Sequence, residues 1–218
     1  MPEAYGQPAP KLTHRQHHFQ DLETQSHASR LAMWLFLGTE VLLFAALFVG
    51  YSFYRTVYPE AWKQASEHLN TLFGTIETFD LVTSSFFMAF AIHLVRTARP
   101  RIAVLSLILT IAMGAAFLVM HAHEYLHEYQ EGALPGGYYH FAELPIAGAN
   151  MFFTLYFLMT GLHSIHVIAG ISALAYLTWR THKLAYNAAY HTPLELGGLY
   201  WHLVDLIWIF LYPLLYLV

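Results

Sequence analysis

The sequence predicts an all-α membrane protein, a polytopic bundle of five transmembrane helices with a cytoplasmic N-terminus and a periplasmic C-terminus. Of the 218 residues, 57% are hydrophobic and only 11% are charged, whereas about a quarter of the residues in a soluble domain are charged. Five segments also reach the length of about 20 mostly apolar residues that a helix needs to cross a bilayer. These two observations predict the fold class.

The polar N-terminal segment comprises residues 1–27 and lacks the apolar core of a cleavable secretory signal. We therefore expect this segment to stay in the cytoplasm. The membrane domain is predicted to comprise residues 28–218, and its second span is a weaker apolar segment that contains Thr83, Ser84 and Ser85. The predicted spans are residues 31–54, 76–95, 102–120, 144–179 and 194–218.

A short amphipathic helix is predicted around residues 58–69, between the first two spans. In the sequence YPEAWKQASEHLN, the apolar residues recur on one helical face and the charged residues occupy the other. The apolar face consists of Tyr58, Trp62, Ala65 and Leu69. A helix of this kind lies in the plane of a membrane surface, and we expect it on the outer side.

The basic residues predict the orientation, because loops rich in Lys and Arg tend to stay in the cytoplasm. With the N-terminus inside, eight basic residues fall on the cytoplasmic side and two on the outer side. The inner set is Lys11, Arg15, Arg30, Arg96, Arg99, Arg101, Arg180 and Lys183, and the outer set is Arg55 and Lys63. This orientation places the loop at residues 128–149 outside.

The composition also excludes some classes of site. The chain contains no cysteine, which excludes disulfides, thiolate-bound metals and haem attached through a C-x-x-C-H motif. Its net charge is −4 and it has no basic stripe, so we expect no nucleic acid partner. Any metal bound to this chain would need histidine and carboxylate ligands.

The stretch HEYLH, residues 123–127, fits the H-E-x-x-H pattern of zinc proteases. A helix would place His123 and His127 on one side, as two zinc ligands require, with Glu124 between them as the general base. Because the chain contains 15 histidines, a chance match is a real risk. An intramembrane zinc protease is therefore one hypothesis at this point.

Glu40 is the charged residue of the first span. It is the tenth residue of that span, roughly 15 Å along it at 1.5 Å per residue, which is near the middle of the bilayer. The favoured interpretation is a neutral carboxyl that is hydrogen-bonded to another helix, and a role in proton transfer is the alternative.

Two histidines lie three residues apart in the fourth span, where the sequence is GLHSIHVIAG. His163 and His166 share a helical face. We expect them to form interhelical hydrogen bonds, and metal ligation is the alternative.

The fifth span carries a polar face. His202 lies three residues from Asp205, and we expect this pair to anchor helix packing, with catalysis as the alternative. Trp201, Asp205, Trp208 and Tyr212 follow one helical face.

Four stretches, in this order, resemble subunit III of haem–copper terminal oxidases, of which cytochrome c oxidase is an example. They are RLAMWLFLGTEVLLFAALFVGY, HEY, GLHSIHVIAG and YWHLVDLIWIFLYPLLYL. The resemblance covers about residues 28–218, and it is to the short five-helix bacterial form, which lacks the first two of seven helices. Similar subunits occur in quinol oxidases and beside nitric oxide reductases, so both stay open as alternatives.

The resemblance implies a non-catalytic subunit of a proton-pumping oxidase that reduces oxygen to water in the bacterial inner membrane. It implies no cofactor in this chain, with the haems and copper in the partner subunits I and II. Bound phospholipid is also implied, together with a role in stabilising subunit I and its proton uptake.

The resemblance also implies roles for individual residues. Glu40 matches the membrane-buried carboxyl of the family, and Arg180 and Lys183 resemble basic residues that hold lipid phosphates. Glu124 matches the family glutamate that precedes a tyrosine, so the histidines of HEYLH are interpreted as accidental neighbours and no metal site is expected. The mainly structural positions of the family motifs are matched by His163, His166, His202 and Asp205.

Overall fold

The computed structural model describes residues 21–142, 144–188 and 190–218. The described part contains six α-helices, and five of them are long and apolar enough to cross a membrane. The spanning helices are α1 (Leu22–Val57), α3 (Thr71–Arg96), α4 (Pro100–Glu131), α5 (Ala149–His182) and α6 (Thr192–Tyr216), and the short helix is α2 (Pro59–His68). These elements confirm the predicted all-α fold with five spans. Most of the polar segment predicted for residues 1–27, including Lys11 and Arg15, lies outside the described residues.

Several helices extend beyond the apolar stretches that predicted them. Helix α1 begins at Leu22, before the predicted start of the membrane domain at residue 28. Its N-cap is Asp21, whose side chain accepts a hydrogen bond of 2.6 Å from the backbone N–H of Thr24. Helix α4 continues to Glu131, so HEYLH forms part of its last turns.

Helix α5 begins at Ala149, five residues after the predicted start of the fourth span. The residue before it, Gly148, has a φ of 99°, which only glycine adopts readily. A Cβ atom at Gly148 would also lie 2.5 Å from Cγ of Tyr58. Both the backbone angle and the close approach of Tyr58 therefore require glycine directly before the first residue of the helix.

Helices α3, α4, α5 and α6 form a closed ring in which each helix contacts two neighbours. Helix α1 packs on the outside of this ring, against α5 and α6. Many large apolar side chains of α1 are exposed, including Leu35 and Leu42, as expected for a surface that faces lipid or another subunit.

The apolar face of α2 packs against protein. Trp62 and Ala65 are fully buried, and the Trp62 ring lies 5.7 Å from the ring of Tyr51 in α1 and 5.5 Å from that of Phe152 in α5. The structure thus has a helix where the sequence predicts one. Its position at the outer membrane surface stays a prediction.

Helix α6 is joined to α3 by a row of side-chain hydrogen bonds, which gives the hydroxyl groups of α3 partners inside the bundle. The indole N–H of Trp201 donates to Ser84 Oγ at 3.0 Å, and that of Trp208 donates to Thr78 Oγ1 at 3.2 Å. The hydroxyl groups of Tyr212 and Thr75 are 2.7 Å apart. The predicted polar face of α6 is therefore the face that contacts α3.

Candidate functional site

Glu40 forms an interhelical pair with His166. Oε2 of Glu40 on α1 lies 2.8 Å from Nε2 of His166 on α5, and both side chains are mostly buried. The ring of Phe44 packs edge-on against the imidazole at 5.4 Å. The pair connects α1 to the ring of four helices at the depth where the sequence predicts a buried carboxyl.

The other ring nitrogen of His166 fixes the tautomer. Nδ1 lies 2.8 Å from the carbonyl oxygen of Leu162, which only accepts hydrogen bonds, so Nδ1 carries a proton. Nε2 then either accepts a hydrogen bond from the protonated carboxyl of Glu40 or is itself protonated and donates a hydrogen bond to the carboxylate. One proton lies between the two side chains in both cases.

His163 differs from His166. It is fully buried, and neither of its ring nitrogens has a hydrogen-bond partner among the described residues. Its ring packs against Phe117 and Trp208, with centroids 5.5 Å and 5.1 Å apart. The interhelical hydrogen bonds expected for this pair of histidines are therefore present at His166 only.

His202 and Asp205 are connected through Ser85 of α3. The Ser85 hydroxyl donates to Oδ2 of Asp205, and Nδ1 of His202 lies 2.9 Å from the same hydroxyl oxygen. A hydroxyl has one proton to donate, so Nδ1 of His202 is the donor in the second bond. The sequence predicts a pair within α6, whereas the structure has a bridge between α6 and α3.

Glu124 points into the bundle. Its side chain is only 7% exposed, and its Oε2 atom accepts a hydrogen bond of 2.6 Å from the hydroxyl of Tyr216 in α6. His121 Nδ1 lies 3.6 Å from the same oxygen and 3.7 Å from Oε1 of Glu77 in α3. Three helices thus contribute to one buried polar cluster.

The two histidines of HEYLH lie on the surface. The ring of His123 is stacked on Phe73 at 5.9 Å, and the His127 side chain is 57% exposed and lies 3.5 Å from Glu131. Among the described residues, neither histidine belongs to a group of three metal-ligand side chains within 4.8 Å of one another, although a zinc site needs such a group. Glu124 is turned toward Tyr216. The geometry therefore disfavours the protease interpretation.

Arg180 and Lys183 lie at the C-terminal end of α5. The Arg180 guanidinium donates to the hydroxyl of Tyr176 at 3.1 Å and lies 5.9 Å from the ring centres of Tyr176 and Tyr186. Burial raises the pKa of Tyr186 above its usual value, and the positive charge of Arg180 offsets part of this increase. Lys183 is exposed. This arrangement holds one guanidinium beside aromatic rings and leaves most of its N–H groups for another acceptor.

Two basic residues that are predicted to lie on the cytoplasmic side form ion pairs within the chain. Arg30 of α1 lies 2.8 Å from Oε2 of Glu195 in α6, and Arg96 of α3 bonds to the other carboxylate oxygen. Nε2 of His191 also lies 3.0 Å from this oxygen. Glu195 therefore joins the ends of three helices, a role that the sequence reasoning missed.

The sequence reasoning also missed Glu77 and Asp80, two acidic residues within the second predicted span. Glu77 is fully buried, with both carboxylate oxygens lacking a hydrogen-bond partner among the described residues. One oxygen of Asp80 is likewise buried without a partner there. The principle applied to Glu40, that acids at membrane depth mark a function or a partner, would have identified both.

Comparison with known proteins gives consistent matches over most of the chain. The profile of the family described as cytochrome c oxidase subunit III matches residues 13–218. A cytochrome c oxidase subunit 3 from Thermostichus vulcanus is 32% identical over 86% of this chain and 86% of the relative. A quinol oxidase subunit 3 from Bacillus spizizenii is 29% identical over 90% of this chain and 91% of the relative. A cytochrome c oxidase subunit 3 from Corynebacterium diphtheriae is 30% identical over 84% of this chain and 85% of the relative.

Proposed function

Because the chain belongs to the cytochrome c oxidase subunit III family and is therefore a multi-pass inner-membrane subunit of an oxidase complex, we propose that its own role is non-catalytic. It stabilises the catalytic subunit I and sustains proton uptake while oxygen is reduced to water. The observation that carries this proposal is the family match over residues 13–218. The proposed orientation has the N-terminus in the cytoplasm and the C-terminus in the periplasm, as the distribution of basic residues predicts.

The haems and copper are proposed to lie in subunits I and II. Two features of this chain support that division of labour. It has no cysteine to ligate copper, and both ring nitrogens of His166 are engaged by Leu162 and Glu40. The pair of Glu40 and His166, the bridge of His202 and Asp205 through Ser85, and the bond from Tyr216 to Glu124 join helices to one another, which suits a subunit that supports its neighbours.

Cytochrome c is the proposed electron donor, with quinol as the second candidate. A relative named cytochrome c oxidase subunit 3 is 32% identical and one named quinol oxidase subunit 3 is 29% identical, so the two classes are close to this chain. The donor is therefore decided by the purified complex: oxidation of reduced cytochrome c supports the first candidate, and oxidation of quinol without cytochrome c supports the second.

Phospholipid is proposed to bind at the cytoplasmic end of α5. Arg180 and Lys183 place two positive charges where the helix ends, and a guanidinium binds phosphate through paired hydrogen bonds. The aromatic rings beside Arg180 restrict its side chain, which lowers the entropy lost when it binds a headgroup.

Purification through a tag on this chain tests the proposed function. We expect it to co-isolate with subunits that carry haem and copper. Removal of this chain under mild detergent, with lipid supplied, should leave the haem and copper spectra intact while turnover starts normally and then decays. Loss of those spectra on removal would contradict a non-catalytic role, and a core that turns over steadily without the chain would contradict a stabilising one.

A further inference from the structure

We infer that Glu77, His121 and Glu124 form a binding site for a divalent transition metal ion, for which zinc is the best match. Glu77 comes from α3, whereas His121 and Glu124 come from consecutive turns of α4. Their exposed fractions are 0%, 2% and 7%, and one potential ligand atom from each lies within 4.8 Å of the others. Glu124 belongs to a family motif, but nothing in the oxidase role described above uses the three residues as a group.

The spacing of the donor atoms fits a tetrahedral ion. Nδ1 of His121 lies 3.7 Å from Oε1 of Glu77 and 3.6 Å from Oε2 of Glu124. A tetrahedral zinc ion with bonds of about 2.0–2.2 Å holds its ligand atoms about 3.3–3.6 Å apart. The two carboxylate oxygens lie within 4.8 Å of each other, so a side-chain movement of about 1 Å or less would complete three of the four positions of a tetrahedral ion. The fourth position is left for water.

The cluster also contains polar atoms that need a partner. Both carboxylate oxygens of Glu77, both ring nitrogens of His121 and Oε1 of Glu124 are buried without a hydrogen-bond partner among the described residues. Two ionised carboxylates in an apolar bundle are strongly unfavourable unless a cation neutralises them. A divalent ion bound by two carboxylates and a neutral imidazole gives a site with no net charge.

Neighbouring side chains hold two of the three ligands in place. The hydroxyl of Tyr216 donates to Oε2 of Glu124 at 2.6 Å. The ring of His121 is stacked on Phe117 at 5.6 Å and lies edge-on to Trp208 at 5.5 Å. Contacts of this kind orient the ligands of metal sites.

A cavity at the surface reaches one of the three proposed ligands, Glu124. A cavity of about 140 Å³ lies at the end of α4, and Glu124 forms part of its wall. Glu77 is six residues past the first residue of α3, which places it about 9 Å from that end of the helix. The other residues lining the cavity are His68, Asn70, Phe73, His123, His127 and Glu128. They are mostly groups that attract or bind cations.

The proposed site differs from the one that HEYLH suggests, although both would bind zinc. His121 precedes that pattern, and only its glutamate is shared with the site. A zinc ion here has no redox chemistry and would hold α3 against α4, so it is compatible with a non-catalytic subunit. The proposal replaces the expectation from the sequence that this chain binds no metal.

Metal analysis of the intact oxidase complex tests the site. The complexes with the native chain, Glu77→Gln and His121→Gln are purified from zinc-supplied cells, dialysed against metal-free buffer and assayed for zinc by mass spectrometry, relative to haem iron. His123→Gln is the matched control, since it makes the same change two residues away on the surface. We expect each site variant to lose one equivalent of zinc and the control to keep it. Equal zinc in all four complexes, or loss in the control, would overturn the proposal.

X-ray absorption at the zinc edge keeps the test decisive if a variant fails to assemble. The native complex alone should show only nitrogen and oxygen neighbours at about 2.0 Å, with the scattering of a single imidazole. Chelation followed by added zinc should restore one equivalent in this environment. Two imidazoles would indicate His123 and His127 and refute the site, as would a native complex that neither contains nor takes up zinc.

Discussion

Nε2 of His166 lies 2.8 Å from Oε2 of Glu40 and shares one proton with it. Whether the proton is on the carboxyl or the imidazole, the two side chains together carry no net charge. A pair with no net charge can lie at membrane depth at a much lower cost than an isolated carboxylate. The pair therefore explains how α1 retains an acidic residue near its middle.

Glu40→Gln should preserve this contact, whereas Glu40→Leu should break it. The glutamine amide has a similar shape and can donate to Nε2, but leucine leaves that nitrogen buried without a partner. We expect the Leu variant to weaken the association of the subunit or its fold by about 1–3 kcal/mol. Retention of the subunit on heating the purified complex in detergent measures the difference.

The Gln variant also tests proton transfer. We expect normal turnover and normal proton pumping in reconstituted vesicles, because the amide maintains the structural bond. Full assembly with clearly reduced pumping would instead assign Glu40 to a proton pathway. The same two substitutions at Glu60, an exposed residue of α2, serve as controls and should change neither assembly nor pumping.

The number and type of the helices could be predicted from the sequence, because a bilayer demands long apolar segments. The helix ends could not, since they depend on local contacts without an apolar signature. Asp21 caps α1 through the N–H of Thr24, and Tyr58 occupies the space beside Gly148. Hydropathy records neither contact.

The candidate site was only partly predictable for a related reason. The depth of a residue follows from the sequence, so Glu40 could be placed near the midplane, but its partner His166 is 126 positions away along the chain. The bridge of Ser85 between His202 and Asp205 likewise requires knowledge of which helices are neighbours. Glu77 was overlooked even though its position in an apolar span was visible.

Ser85→Ala should destabilise the contact between α3 and α6. It removes the hydroxyl that accepts from Nδ1 of His202 and donates to Asp205, and it leaves both groups mostly buried without that partner. We expect a loss of about 1–3 kcal/mol in the free energy of unfolding, measured by thermal or denaturant unfolding in detergent.

Thr83→Ala is the matched control for Ser85→Ala. Thr83 is exposed, and its hydroxyl bonds only to the carbonyl of Phe79 in its own helix, so its loss should change the stability by less than about 0.5 kcal/mol. Equal effects of the two substitutions would show that the bridge contributes nothing specific.

Changing His123 and His127 together to alanine should cost little oxidase activity, because both side chains are exposed. Glu124→Ala should be more harmful, since it removes the acceptor of the Tyr216 hydroxyl inside the bundle. Turnover and subunit content of the purified complexes measure both effects. Complete loss of activity in the double histidine variant, with Glu124→Ala unaffected, would reverse this ranking.

Arg180→Ala combined with Lys183→Ala should lower the amount of phospholipid that survives purification and hasten inactivation during turnover. The two residues supply the positive charge at the C-terminal end of α5, and Arg180 is held beside Tyr176 and Tyr186 in a position to bind a phosphate. Arg55→Ala combined with Lys63→Ala makes the same charge change at exposed positions on the predicted outer side and should alter neither quantity. Lipid phosphorus per haem and the rate of activity decay are the two measurements. Unchanged values in the first double variant, or equal losses in both, would reject a specific lipid site at this end of the helix.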